Sequence, residues 1–242
     1  MSRSERPERT WAFAHRGGLD GGFAPNSIAA FADALARGGQ VETDVRLAAD
    51  GVPVLIHDRI SFVKGIPVVA DWYPSSWLAR LGVPRLADLY DELGHDFEIS
   101  MDLKVVDAWP ATLEVARKAG AVDRLWLVHD RIAVLDQVRA ADADVRLMHE
   151  ARPADLEKAG IALVDHPAIL AKHRIDAQNT RAAAWTPAML ERAHAEGVFA
   201  FGSLVQTPDE QRTAAAKGLD GLYSDHLAGL LAAIAERDPR TP

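Results

Sequence analysis

The sequence predicts an α/β fold, a single-domain (β/α)8 barrel, on three observations. Short apolar, strand-like runs alternate with Ala/Leu-rich stretches of helical period along the whole chain, and such alternation builds a parallel sheet. Eight or nine of these units fill 242 residues, the size of one barrel. Ionisable residues cluster at the C-terminal ends of the runs, where a barrel keeps its chemistry. The rival, a doubly wound open sheet, lacks its usual sign, because no G-x-G-x-x-G opens a helix after the first strand.

Strand candidates lie at 11–15, 41–45, 98–103, 125–129, 145–149, 162–165, 182–185, 198–205 and 221–224. Nine is one too many for a barrel, and 162–165 or 182–185 is expected to fall outside it. Helices follow at 27–37, 86–93, 111–119, 132–141, 154–158, 188–196, 209–217 and 227–236. Thr186-Pro187 and Thr207-Pro208 supply a capping hydroxyl with proline at the first helical position. Gly38-Gly39, Gly120, Gly160, Gly197 and Gly218 stand where helices should stop. Residues 59–84 read as the longest non-helical stretch. Their aromatics Phe62, Trp72, Tyr73 and Trp77 either cover the site as a lid or pack the loop onto the body. Residues 1–9 are charged and read as a flexible N-terminus.

Composition bounds the function. A share of 48% apolar and 26% charged residues is that of a soluble globular protein. The longest uncharged apolar stretch, 227–235, is nine residues, about half a membrane span. The charged start has no apolar core behind it, so no secretory signal is expected, and the chain reads as cytoplasmic without a stable membrane anchor. Cysteine is absent, which excludes disulfides, a thiolate nucleophile and Cys-ligated zinc. A net charge of −8 argues against nucleic-acid partners. Oligomeric state is not legible here.

Four clusters could carry chemistry. His15-Arg16-Gly17-Gly18 leaves a buried strand into a glycine turn, and arginine offers a planar fork to phosphate or carboxylate. Glu42 and Asp44, two apart on one strand, face the same way. Two such carboxylates repel unless something positive lies between them, and a hard divalent cation suits oxygen-only ligation. Asp50-Gly51 makes a hairpin turn that returns His57-Asp58 towards the carboxylates, giving a second proton-transfer group. Asp102 and Lys104 share a face with opposite charges, as a salt bridge or as a metal ligand beside a phosphate contact.

The order His15-Arg16-Gly17, Pro25-Asn26-Ser27, Glu42-x-Asp44, Asp50-Gly51, His57-Asp58, Asp102-x-Lys104, with a closing Lys217 to Asp225 run, resembles the glycerophosphodiester phosphodiesterase family. The resemblance is close over 11–104, recurs at 197–226 and is diffuse between. It implies a (β/α)8 barrel that uses a divalent cation, Mg²⁺ or Ca²⁺, to hydrolyse glycerophosphodiesters to sn-glycerol 3-phosphate and an alcohol. Carried over, His15 and His57 match the catalytic pair, Glu42, Asp44 and Asp102 the metal ligands, and Arg16 and Lys104 the phosphate contacts. The partner implied is a small glycerophosphodiester, and the family's first nucleophile is a glycerol hydroxyl of the substrate.

Three positions depart from the pattern. Pro25-Asn26-Ser27 lacks the glutamate of Pro-Glu-Asn-Thr, although Asn26 can still bond the loop and Ser27 can still cap. Asp102 replaces the usual glutamate. Phe201 to Gln206 replaces an aromatic-Thr-Val-Asn strand, which opens that side of the pocket. The remaining histidines, His129, His149, His166 and His226 at strand ends and His95, His173 and His194 by helices, are assigned no role. Rival readings are a phospholipase C-like phosphodiesterase, which needs an exposed apolar rim for lipid, and a catalytically inactive barrel that binds a phosphodiester or metabolite.

Overall fold

In a computed structural model, residues 6–240 are described. In chain order the elements are β1 (Trp11–Ala14), α1 (Ile28–Ala36), β2 (Gln40–Leu47), β3 (Pro53–Leu55), β4 (Ile60–Val63), β5 (Ile66–Val69), α2 (Ser75–Leu81) and α3 (Leu86–Leu93). There follow β6 (Ile99–Leu103), α4 (Trp109–Ala119), β7 (Leu125–His129), α5 (Ile132–Ala141), β8 (Arg146–Glu150), α6 (Pro153–Lys158) and α7 (His166–Lys172). The chain ends with β9 (Ala177–Arg181), α8 (Pro187–Ala195), β10 (Phe199–Ser203), α9 (Pro208–Ala215), β11 (Gly221–Ser224) and α10 (Leu227–Arg237).

Eight parallel strands, in the order β1-β11-β10-β9-β8-β7-β6-β2, close when β1 pairs with β2. This is the expected (β/α)8 barrel. Alternation along each strand sorts the side chains. Val41, Val45, Ile99, Met101 and Leu103 face the helices in the large outer core. Phe13, Trp126, Met148, Phe199, Phe201 and Tyr223 fill the barrel itself, with Phe13 and Tyr223 ring centres 5.0 Å apart. A Cβ on Gly221 would lie 2.4 Å from the Phe201 ring, so this aromatic filling requires glycine on β11.

The floor of the barrel is polar. Glu98 Oε2 accepts from Trp126 Nε1 at 2.6 Å and from Arg146 at 2.7 Å. The Arg146 guanidinium also lies 4.9 Å from the centre of the Trp126 ring. Below it the two ends of the described residues are joined. Asp238 Oδ2 accepts from the Thr10 amide at 2.6 Å, and Arg240 donates to the carbonyls of Leu219 and Pro7 at 2.6 and 3.4 Å. Residues 6–9 of the stretch expected to be flexible therefore adjoin this clamp, whereas 1–5 lie outside the described residues.

Several expectations are corrected. Both suspect strands lie outside the barrel: 162–165 is the turn between α6 and α7, and 182–184 is a 3₁₀ turn leading to the Thr186 cap of α8. The missing sixth barrel strand is β9, Ala-Gln-Asn-Thr-Arg, whose polar composition hides it. Its Gln178 is spent on His166, which stands at the start of α7 rather than at a strand end. Finally, 59–84 is not free of helix. It holds the β4–β5 hairpin and α2, and Val68, Ala70, Leu78 and Val83 form a small core with Ala48, Val54 and Ile56. Tyr73 and Trp77 stack at 4.1 Å against that core, while Phe62 and Trp72 stay exposed. His194 is also less superficial than expected, bonded at 3.0 Å to buried Asp220. Among the described residues no helix is long and apolar enough to cross a membrane.

Candidate active site

At the C-terminal end of the barrel lies a cleft of about 1020 Å³, lined by His15, Arg16, Glu42, His57, Asp102 and Lys104 among others. Six of the seven predicted site residues thus share one wall. The seventh, Asp44, is buried just behind it at 1% exposure.

The sequence builds this wall locally. β1 ends in a 3₁₀ turn, His15–Gly17, in which Arg16 takes φ 53° and Gly17 φ +87°. A Cβ on Gly17 would meet that of Ala30 at 2.5 Å, so the turn can press onto α1 only with glycine there. The turn aims the Arg16 amide at Glu42 Oε2, 2.8 Å away. On β2 the even positions Glu42 and Asp44 face the barrel, and β6 places Asp102 directly beside Asp44 in register. The hairpin expected at Asp50-Gly51 forms between β2 and β3, with Gly51 at φ +75°. It brings back His57, whose carbonyl is held by Arg46 Nε at 2.8 Å.

Positive charge does lie between the carboxylates. Lys104 Nζ is 2.6 Å from Asp102 Oδ2 and 3.1 Å from Asp44 Oδ1. Arg16 Nε is 3.1 Å from Asp44 Oδ2, an ion pair whose N–H is not aimed at the oxygen. Asn26, at φ 58°, donates to the same Oδ2 at 3.1 Å and accepts from Thr43 Oγ1 at 2.8 Å. Ser27 caps α1 through the Ala30 amide. Both roles foreseen for the shortened loop motif are therefore filled. Burial, and then the neighbouring Asp44 charge, holds the Glu42 carboxyl well above the usual carboxylate range. Lys104 is held above its ordinary range because Asp102 and Asp44 outweigh the opposing effect of burial.

Each histidine has a carboxylate behind it. His15 Nδ1 is 2.7 Å from Asp225 Oδ1, and His57 Nδ1 is 2.7 Å from Asp58 Oδ1. A carboxylate only accepts, so each Nδ1 carries the proton and each Nε2 is left as the reactive nitrogen. Asp225 is itself held by Gln206, which donates to its Oδ2 at 2.9 Å and accepts from its amide at 2.9 Å. The sequence reading missed Asp225 and Gln206 as site residues. The signal available was the acidic strand end after β11, within the closing motif.

The opposite wall holds residues assigned no role from the sequence. It carries His129, Asp130, Glu150, Arg152, Asn179 and Arg181 from the ends of β7, β8 and β9. Burial lowers the His129 basicity, and burial with Asp102 nearby raises the Glu150 carboxyl. Tyr223 lies at the base, its hydroxyl 3.0 Å from Ser100 Oγ. His149 and His166 lie deeper, ring centres 4.9 Å apart, and burial brings His149 down to about 4.

The Glycerophosphoryl diester phosphodiesterase family matches residues 15–228, from His15 into the last helix. The chain belongs to this family. It is 28% identical over 245 residues to a Mycobacterium tuberculosis protein named "Probable glycerophosphodiester phosphodiesterase 2", covering 88% of this chain and 86% of that one. A Thermotoga maritima glycerophosphodiester phosphodiesterase shares the fold with a TM-score of 0.78 at 20% identity, over 93% of this chain and 98% of that one. An Oleispira antarctica phosphodiesterase, solved with the product sn-glycerol-3-phosphate, superposes with a TM-score of 0.75 at 18% identity over 93% and 97% of the two chains. This glycerophosphodiester phosphodiesterase-family enzyme is a phosphoric diester hydrolase.

Proposed function

We propose that this chain, as one domain working in the cytoplasm, hydrolyses glycerophosphodiesters to sn-glycerol 3-phosphate and an alcohol, with His15 and His57 as its acid/base pair. The observation that carries the reading is the pair of histidines in one cleft, each with Nδ1 committed to a carboxylate. One Nε2 removes the proton of the attacking hydroxyl and the other returns a proton to the leaving alkoxide. Arg16 and Lys104 present cationic groups to the phosphodiester oxygens from the same wall. The product bound in the Oleispira antarctica relative is the one expected here.

Glu42, Asp44 and Asp102 are our candidates to hold a divalent cation. Their chemistry fits: the donors are hard oxygens, and the burial and Asp44 repulsion that raise Glu42 are both offset by a cation. No three ligand-type residues converge at ligating distance among the described residues, and Lys104 lies between two of the three carboxylates. Binding through all three therefore requires Lys104 to release at least one contact. When bound, the cation would neutralise phosphodiester oxygens and stabilise added charge.

The test is hydrolysis of glycerophosphocholine, glycerophosphoethanolamine, glycerophosphoinositol and bis(p-nitrophenyl) phosphate with Mg²⁺, with Ca²⁺ and with EDTA, beside His15→Ala. Metal-dependent release of glycerol 3-phosphate that disappears in His15→Ala is expected. Full turnover by His15→Ala would overturn the assignment.

A further inference from the structure

Among the described residues the exposed large hydrophobics are Leu19, Phe23, Ile60, Phe62, Ile66, Trp72, Val164 and Leu204. All eight lie in connections that run from the C-terminal end of a barrel strand to the next barrel helix. None lies in the connections at the opposite end or on the outer faces of the helices. The four connections that bear them are also the ones that supply His15, His57, Ala154 and Leu204 to the cleft. Exposed apolar side chains scattered singly need no explanation, but confinement to one face does.

The β4–β5 hairpin concentrates them. Val63 and Val68 face inward onto the small core. The opposite face pairs Ile60 with Val69 and Phe62 with Pro67, and Ile60 and Phe62 are 61% and 78% exposed. A hairpin with one face on the core ordinarily turns polar residues outward. Trp72, three residues beyond β5, is 67% exposed. Some of the charged groups nearby are paired: Arg59 with Asp71 at 3.0 Å, and across the cleft Arg152 within 3.6 Å of both Asp130 and Glu150.

We propose that the catalytic face docks on a zwitterionic lipid surface, so that the enzyme also takes phosphodiesters of amphiphiles held there. The inference rests on the proposed phosphodiesterase reading. The occupant follows from the placement. A protein partner, or a second copy face to face, would seal the mouth through which substrate enters. A surface that itself carries the substrate covers the apolar rim and delivers the phosphodiester together. With a net charge of −8 and an apolar rim, attraction is apolar rather than to anionic headgroups.

The experiment is co-flotation of the full chain with phosphatidylcholine vesicles, comparing wild type with Phe62→Ser/Trp72→Ser, neither of which lines the cleft. Wild type should float, and the double variant should float about tenfold less, from the apolar area it loses. Its hydrolysis of soluble glycerophosphocholine should be unchanged. Quenching of wild-type tryptophan fluorescence by brominated lipid gives a second reading that needs no variant. Wild type left unbound and unquenched, or a variant that floats equally, would overturn the proposal. So would a wild-type dimer in sedimentation that the double variant converts to monomer. Failure to hydrolyse glycerophosphocholine would overturn the functional reading instead, and leave flotation interpretable.

Discussion

Asp225 Oδ1 lies 2.7 Å from His15 Nδ1, joining the last strand of the barrel to the first. The contact fixes the proton on Nδ1 and turns Nε2 to the cleft. Asp225→Asn keeps the shape but can present its amide instead. We expect kcat to fall about 10²-fold with little change in KM. Steady-state kinetics on a soluble diester measures both, and an unaltered kcat would remove Asp225 from any positioning role.

Lys104 neutralises Asp44 and Asp102 at 3.1 and 2.6 Å. Lys104→Gln leaves those carboxylates to a metal. Divalent-cation affinity should rise about tenfold, the size of one lost unit of opposing charge at this range, while turnover falls because a phosphate contact is gone. Calorimetric titration with Mg²⁺ or Ca²⁺ separates the two effects. Weaker metal binding in the variant would contradict the account. Asp102→Glu, the longer ligand, should keep activity and shift preference between the two ions.

Glu98 and Arg146 are a buried pair with side chains only 7% and 6% exposed. Arg146→Met strands a buried carboxylate and should cost about 3–5 kcal/mol in urea unfolding. Adding Glu98→Gln removes the stranded charge and should recover much of that loss. Equal stability of the single and double variants would show that the pair does not act as a unit.

His149 titrates at about 4 because burial penalises its charge. Its pKa is lower folded than unfolded, so the unfolded chain binds the extra proton first as pH falls. Stability is therefore full above about pH 6.5 and declines towards pH 4, by about 3 kcal/mol for this group alone. Burial shifts His129 and His166 the same way, which steepens the decline. Urea midpoints between pH 7 and 4 should fall for wild type and fall less for a folded His149→Asn variant.

The barrel was legible because most of its strands keep apolar bodies and its helices carry clear stop and start residues. Helices α3 and α5 begin and end where periodicity places them. β9 was illegible because a strand that hands Gln178 to His166 and Asn179 to the cleft has few apolar positions left to announce it. The candidate site wall was legible as residues two apart on β2 and at the end of β6, whose spacing alone puts them on one face. What spacing cannot reveal is contact across the closure of the barrel. Asp225 and His15 are 210 positions apart and meet only when the last strand docks on the first.

The clamp of Asp238 and Arg240 on Thr10 and Pro7 holds both ends of the described chain under the floor of the barrel, opposite the cleft. A chemical tether attached beside Pro7 or Arg240 would thus hang from the far pole of the molecule. Immobilised by such a handle, the enzyme would stand on a support with its mouth turned outward to the solution.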